Sequence, residues 1–388
     1  MTQSRKKQSI IVGALTGTAG IFFTKALGLL YASPFQAMAG GEMIFYTSTY
    51  QIYEFMLTLS TSGIPFAIAT LVAKYVAQED YKTTMLVRKV STMILGAFGV
   101  TLFAIVVLFS GPIVQALAPG RDALYLHKYQ ISLILVAFAV LTVPILSMFR
   151  GFYQGLKEMK AYAFSQVLEQ FVRITFLLGM AALLIYVFRQ EQIWAVYFAV
   201  SAAAVSALAA IGYFLFVDKS RLPELNELAD KQEKEPLKPT EVLKEILYFA
   251  IPYFLIAIIG NCGGMINLMF VNPELQKFGY SFEEADRVYS IMNFNSYKLV
   301  SIPQILGPGF AVAIIPHITT ALTLKDYDAI RGHVKKIFTS CTYIAYPVIL
   351  LMILFAPQIY FIMYGDYFVE LGADILRWNL CVAALWIV

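Results

Sequence analysis

Long apolar runs separated by short charged segments constrain this chain more than any other feature of its sequence. An α-helix needs about 20 apolar residues to cross the hydrocarbon core of a bilayer. The runs therefore predict spanning helices near 10–32, 43–73, 89–117, 129–150, 161–187, 193–217, 243–270, 287–321 and 333–362. A tenth run begins near residue 371 and is still apolar at residue 388, where the sequence stops. We expect a multi-pass membrane protein that is truncated at its C-terminus.

The composition and the motif inventory exclude several other classes. The chain is 59% hydrophobic and 14% charged, whereas a soluble domain is about a quarter charged. The formal net charge is only +4, and the basic residues are spread among loops, so we expect no nucleic-acid partner. The cysteines and histidines are scattered singly, which predicts neither a metal site nor a disulfide. The absence of a P-loop, a zinc-protease motif or a nucleophile elbow from the sequence argues against an enzyme.

The distribution of lysine and arginine between the spans predicts the orientation. Nineteen basic residues fall on the side that holds the N-terminus, and five fall on the other side: Arg121, Lys128, Arg189, Lys277 and Arg287. Cytoplasmic loops carry an excess of basic residues. The N-terminus is therefore expected in the cytoplasm.

A charged segment with three prolines, residues 217–245, divides the chain. We interpret 218–242 as a cytoplasmic linker between an N-terminal lobe, 1–217 with helices 1–6, and an incomplete C-terminal lobe, 243–388 with helices 7–10. A shift of 244 residues superposes 53–69 on 297–313 with these identities: Tyr53/Tyr297, Gly63/Gly307, Phe66/Phe310, Ala67/Ala311 and Ala69/Ala313. Repeats of six helices have the same orientation in the membrane. The predicted fold is all-α, with two parallel six-helix repeats around a central cleft, which suggests an alternating-access transporter.

Five charged residues remain at membrane depth: Lys25, Glu54, Glu169, Arg173 and Lys298. Such charges are costly and usually face a partner or a water-filled cavity. Glu169 and Arg173 are one helical turn apart and can pair, either as a structural pair or as part of a coupling mechanism. Lys25 lies in the run AGIFFTKALGLLYASP, where it either extends its ammonium to the interface or faces a cavity.

Glu54 and Lys298 occupy equivalent positions in the predicted repeats, with opposite charge. Each lies about 16 Å from the outer end of its helix at 1.5 Å per residue. Glu54 shares a polar helix face with Gln51, and Lys298 shares one with Asn295. We expect these faces to line the cleft, and we expect Glu54 and Lys298 to approach each other when the outer ends of the lobes close.

Three segments resemble a known family. They are TKALGLLYASPFQAMAGGE, YQIYEFMLTLSTSGIPFAIATLVAKY and VPILSMFRGFYQGLKEMKAYAFSQVLEQFVRI. Together they resemble the MurJ/SpoVB branch of the multidrug/oligosaccharidyl-lipid/polysaccharide (MOP) exporter superfamily, which is MATE-like in fold. Arg150 and Gln154 fall in the signature at the cytoplasmic end of its fourth helix. Members of that branch have more helices than this chain provides.

The resemblance implies a function and a substrate. Members flip an undecaprenyl-pyrophosphate-linked sugar, typically lipid II, from the inner to the outer leaflet of the bacterial cell membrane. Lys25 matches the basic residue of a first-helix element, and Lys298 lies on a cavity-lining helix, so both are expected to bind the pyrophosphate. Gram-negative members carry further arginines where this chain has Tyr31 and Glu54, so its cavity is expected to be less basic. Expected partners are the lipid-linked substrate, membrane lipids and cell-wall synthesis proteins.

Alternative functions follow from other readings of the same residues. In a cation-coupled multidrug exporter of the same superfamily, Glu54 and Glu169 would bind H⁺ or Na⁺, although Lys25 and Lys298 would repel a cationic substrate. A membrane-embedded transferase would need a catalytic base and a donor site that the sequence does not supply. A scaffold without transport activity is a third alternative. No cofactor is expected beyond a coupling ion.

Overall fold

The computed structural model describes residues 28, 31–61, 63–304 and 326–386, and the structural statements below concern those residues. Their regular structure is helical. The α-helices are α1 (Ala32–Ala39), α2 (Met43–Thr61), α3 (Ile64–Ala77), α4 (Tyr81–Leu108), α5 (Ser110–Leu117), α6 (Ala123–Gly155), α7 (Met159–Ala182), α8 (Gln192–Asp230), α9 (Pro239–Lys277), α10 (Phe282–Ser290), α11 (Tyr297–Gln304), α12 (Tyr327–Leu354), α13 (Ala356–Tyr364) and α14 (Val369–Trp386). A 3₁₀ turn (Gly40–Glu42) and two π-helical turns (Leu183–Val187 and Ile291–Ser296) join some of them.

Several of these helices are long and apolar enough to cross a membrane. Among the described residues there are five: α4, α6, α7 with its π-helical extension, α8 and α9. A sixth span forms if α12 and α13, which are bent by 80° at their junction, are one broken helix. The predicted all-α, multi-pass architecture is therefore confirmed. The predicted first span, 10–32, lies almost entirely outside the described residues, as does the second half of the eighth span.

The predicted span 43–73 is interrupted at Gly63, between α2 and α3. Gly63 has a φ of +79°, and a Cβ there would lie 2.6 Å from the Cβ of Tyr253 and 2.7 Å from the carbonyl oxygen of Ala250. Only glycine adopts this conformation without strain and leaves room for α9. Pro65 follows in the first turn of α3, where a missing N–H costs little. The apolar run is continuous across this break, so periodicity gave no sign of it.

The predicted linker is mostly helical. Helix α8 continues to Asp230 and α9 begins at Pro239, which leaves 231–238 as the non-helical part of 218–242. Charge marks a segment as solvent-exposed but does not prevent a helix, and pairs three or four residues apart support one. Arg221 pairs with Glu224, and Lys231 pairs with Glu227, in this extension.

The described residues form two compact units. One is Met38–Arg287, and the other contains the described residues of Met1–Ala37 and Val288–Val388. Helix α9, which the sequence repeat assigns to the second lobe, packs against α2 and α3 in the Met38–Arg287 unit. The lobes 1–217 and 243–388 rest on the repeat, whose positions 307–313 lie outside the described residues. They stay a prediction.

Helix α6 lies at the centre of the Met38–Arg287 unit and contacts α2, α3, α4, α7 and α8. Gly151 and Gly155 bring it close to α3. A Cβ at Gly151 would lie 2.7 Å from the carbonyl oxygen of Pro65, and a Cβ at Gly155 would lie 2.6 Å from the Cβ of Val72. Two small residues four positions apart allow helix backbones to approach in a membrane, where helix packing rests on van der Waals contact.

We expect Gly155→Val to destabilise the protein because the new side chain overlaps Val72 of α3. Overpacking of this kind costs about 1–3 kcal/mol. Gly179→Val is the matched control, since a Cβ at Gly179 would meet no described atom within 4 Å. Thermal unfolding of the full-length protein in detergent should show a fall in Tm for Gly155→Val alone. Equal shifts in the two variants would contradict the close contact.

The two ends of α8 provide a test of the predicted orientation. Gln190, just before α8, and Glu233, just after it, are both exposed. In a background that lacks Cys262, Cys341 and Cys381, an impermeant thiol reagent should label Gln190→Cys in intact cells. Glu233→Cys should be labelled only after permeabilisation, because the charge bias places this end in the cytoplasm. Labelling of Glu233→Cys from outside would reverse the topology.

Candidate functional site

Glu169 is held between two arginines in the Met38–Arg287 unit. Arg150, near the end of α6, donates from Nη2 to Glu169 Oε2 at 2.7 Å. Arg173, one turn along α7 from Glu169, pairs with Oε1. The three side chains are 12–19% exposed. The structure therefore contains the Glu169–Arg173 pair that the sequence predicts and adds Arg150, which sequence reasoning had placed only in a helix-end motif.

Two serines complete this cluster. Ser165 Oγ accepts from Arg150 Nε at 3.2 Å, and Ser206 Oγ of α8 accepts from Arg173 Nε at 3.3 Å. Ser165, Glu169 and Arg173 are spaced four residues apart, which puts them on one face of α7. The cluster carries one positive charge in excess. Both carboxylate oxygens accept from guanidinium groups, which makes Glu169 a poor ligand for a coupling cation.

Lys298 lies against aromatic rings in the other unit. Its Nζ is 4.9 Å from the ring centroid of Tyr31 and 5.7 Å from that of Phe294. Phe35 packs against Phe294 with ring centroids 6.2 Å apart. Cation–π attraction operates within about 6 Å of a ring centroid. These rings therefore orient the ammonium at the start of α11, and sequence reasoning did not assign them this role.

The other predicted residues have varied environments. Gln51 contacts α9, where a Cβ at Gly264 would lie 2.8 Å from its Cδ. Asn295 is fully buried, and its carbonyl oxygen accepts from the Tyr364 hydroxyl at 3.1 Å. Gln154 is half-buried, and its carbonyl oxygen accepts from the backbone N–H of Lys157 at 2.9 Å, which closes the turn after α6. The gating role of Gln51 and Asn295 stays a prediction.

Of the two lysines that are predicted to bind the pyrophosphate, the structure describes Lys298. Lys25 lies outside the described residues. Glu54 is half-buried in the Met38–Arg287 unit, while Lys298 belongs to the other unit. The approach of Glu54 to Lys298 therefore stays a prediction.

Solved structures share this fold. A multidrug resistance MATE family transporter of the MOP superfamily, in an outward-facing conformation, superposes with a TM-score of 0.69 at 12% identity and covers 100% of this chain and 83% of its own. A MOP superfamily transporter from Pyrococcus furiosus, whose reported binding pocket has reverse polarity, gives a TM-score of 0.65 at 13% identity over 99% of this chain and 88% of its own. The protein therefore has the multi-pass fold of MATE-like transporters.

The sequence comparisons define the family. The model of the polysaccharide biosynthesis protein family matches residues 12–322, and the chain belongs to that family. The Bacillus subtilis protein named Lipid II flippase MurJ is 28% identical over 97% of this chain and 70% of its own length. Stage V sporulation protein B from the same organism is 22% identical over 93% of this chain and 68% of its own length. The predicted polysaccharide biosynthesis family and the predicted MATE-like fold are confirmed, and these two relatives agree with the predicted resemblance to the MurJ/SpoVB branch.

We expect Glu169→Gln to destabilise the full-length protein, because two largely but not fully buried guanidinium groups lose their shared counter-charge. Breaking a buried pair typically costs about 3–5 kcal/mol. Glu227→Gln, which removes an exposed pair with Lys231, is the control and should change little. The measurement is the Tm in detergent, and a shift no larger than that of the control would contradict a structural role for Glu169.

Proposed function

We propose that this protein flips an undecaprenyl-pyrophosphate-linked sugar precursor from the inner to the outer leaflet of the bacterial cell membrane by alternating access. Family membership supports a lipid-linked saccharide as the substrate class. The relative named as a lipid II flippase aligns with 97% of the chain, which makes lipid II the first candidate. The proposal involves no covalent chemistry, and relatives named as flippases and transporters agree with that.

The observation that carries the proposal is the environment of Lys298. It is a half-buried lysine on a predicted membrane-spanning helix, and its ammonium lies over the rings of Tyr31 and Phe294. Cation–π contacts hold an ammonium over the face of an aromatic ring. A lysine binds phosphate as a point charge with three rotatable donors. That geometry suits a ligand that must be bound on one side of the membrane and released on the other, and Lys25 would supply a second ammonium.

A cation-coupled multidrug exporter is the alternative, because multidrug transporters share the fold. It requires carboxylates that can take up H⁺ or Na⁺. Glu169 is engaged by Arg150 and Arg173 through both oxygens, which makes it a weak candidate for binding a coupling ion. Lys298 and the excess positive charge around Glu169 favour an anionic headgroup over a cationic drug.

The proposed cellular location and the expected partner proteins follow from the proposed substrate. The protein would be a multi-pass protein of the cell membrane with its N-terminus in the cytoplasm, and it would act between the proteins that synthesise the precursor and those that polymerise it. The direct test is a leaflet-accessibility assay for the lipid-linked precursor in cells depleted of the full-length protein. Depletion should confine the precursor to the inner leaflet, and unchanged accessibility would contradict the proposed function.

Substitution of Lys298 tests the site. We expect Lys298→Ala in the full-length protein to abolish complementation of the depleted cells, because a phosphate donor is lost. Lys298→Arg keeps the charge and the cation–π contact, so it should retain part of the activity. Lys277→Ala is the control, since Lys277 is exposed and pairs with neighbouring Glu274 on its own helix. Wild-type flipping by Lys298→Ala, at equal protein level, would remove Lys298 from the site.

A further inference from the structure

A cavity that none of the candidate site residues above borders lies at the end of the Met38–Arg287 unit where the linker passes. It has a volume of about 630 Å³ and is bordered by the first turns of α4, the last turns of α6 and the linker residue Pro236. Pockets of about 300–1,000 Å³ are the usual size for small-molecule ligands. The cavity is therefore large enough for a lipid headgroup and part of a chain.

One end of this cavity is basic. Lys82 and Lys89 of α4 both border it, and a separation of seven residues puts them on one helix face about 10 Å apart. Neither ammonium is paired with a carboxylate in the described part of the chain. Arg88, the third basic residue at the cavity, differs because its guanidinium pairs with Asp218 and lies over the ring of Phe152 at 5.4 Å. The two lysines thus bring two uncompensated positive charges to the cavity.

The remaining wall is apolar. Met85, Leu86 and Met93 extend along the same side of α4, and Phe149 faces them from α6. Met93 is 65% exposed, as is common for a side chain in contact with lipid. Along α4 the order is Lys82, Met85, Leu86, Lys89 and then Met93, so the apolar side chain of Met93 lies farther into the helix than both lysines.

The length of α4 places Lys82 and Met93 at different depths in the membrane. The helix has 28 residues and is about 42 Å long, whereas the hydrocarbon core is about 30 Å thick. Its first turns, with Lys82, therefore extend to the headgroup region. Met93 lies eleven residues farther along, about 16 Å deeper. A phospholipid has the same order, with its charged phosphate at the interface and its acyl chains below.

The linker side of the cavity is anchored by Asp80, the N-cap of α4. Its carboxylate accepts from Thr83 N at 3.0 Å and from Gln232 Nε2 at 3.0 Å, and it pairs with Lys234 at 3.1 Å. Burial disfavours ionisation of Asp80, but these hydrogen bonds outweigh it and hold the pKa of the carboxyl below its usual value. Thr83 Oγ1 also accepts from Leu237 N at 3.1 Å. Pro236 is therefore held in place as a wall of the cavity.

We propose that this cavity binds an anionic phospholipid of the adjacent leaflet. Its phosphate lies between Lys82 and Lys89, next to Met85 and Leu86, and an acyl chain extends from there past Phe149 and Met93. The cytoplasmic leaflet, where the charge bias places this end, is rich in anionic lipid and attracts basic residues. The bound lipid joins α4, α6 and the linker at a site distinct from Lys298.

Native mass spectrometry of the full-length protein tests this site. The probes are phosphatidylglycerol and, as the neutral comparison, phosphatidylcholine. We expect the protein to retain phosphatidylglycerol preferentially, and Lys82→Gln with Lys89→Gln to weaken that binding about tenfold or more. Lys160→Gln with Lys244→Gln is the matched control, because both lysines are exposed at the same end of the helices and neither borders the cavity. Equal losses in the two double variants would show non-specific attraction and overturn the proposal.

A second set of measurements separates the lipid from other phosphates. Met93→Trp obstructs the apolar wall beyond Lys89 and keeps both lysines, so it should also weaken phosphatidylglycerol binding. Leu86→Trp replaces it if Met93→Trp lowers the Tm. Competition by glycerol 3-phosphate at the same concentration as the lipid would indicate a free-phosphate site and overturn the proposal. Displacement by undecaprenyl pyrophosphate at lower concentration than phosphatidylglycerol would assign the cavity to the substrate path and overturn it as well.

Discussion

The close approach of α6 to α3 is the contact on which the rest of the Met38–Arg287 unit depends. Helices in a bilayer gain no hydrophobic drive to associate, so the distance between backbones decides how much they contact. Gly151 and Gly155 remove the side chains that would hold α3 away. Arg150 immediately precedes this surface and reaches Glu169 of α7. The same two turns of α6 therefore set both the packing against α3 and the position of the buried charge cluster.

Away from the α3–α6 contact, ion pairs between segments distant in sequence connect neighbouring helices of this unit. Arg88 of α4 pairs with Asp218 of α8, which also accepts from the Tyr153 hydroxyl of α6 at 2.6 Å. At the opposite end of α6, Lys128 contacts Glu42 at 2.6 Å. An incorrect helix arrangement would leave such charges unpaired at high cost. The pairs therefore specify the arrangement, whereas Lys82 and Lys89 have no such carboxylate partner in the described residues and are suited to an external anion.

Sequence periodicity predicted the contacts within helices but not those between them. The Glu169–Arg173 pair follows from a spacing of four residues, while Arg150–Glu169 crosses the turn between α6 and α7, whose geometry no pattern specifies. The rings around Lys298 divide in the same way: Phe294 lies one turn away, but Tyr31 comes from a distant segment. The break at Gly63 has a local cause that apolar residues conceal. Most residues of the charged 218–242 segment are exposed, but their charge says little about its helicity.

One fold supports several functions, so the fold alone does not identify a substrate. The sign of the charges in each unit discriminates better between an anionic and a cationic substrate. An anionic headgroup needs positive charge at depth, yet a carrier must also release it. The carboxylate of Glu169 already neutralises part of the charge on Arg150 and Arg173, so an entering phosphate would have to compete with it. Lys298, oriented by Tyr31 and Phe294, provides charge without a rigid bidentate fork. Under the proposed function, both arrangements would attract an anion and limit how tightly it is held, which transport requires and permanent binding does not.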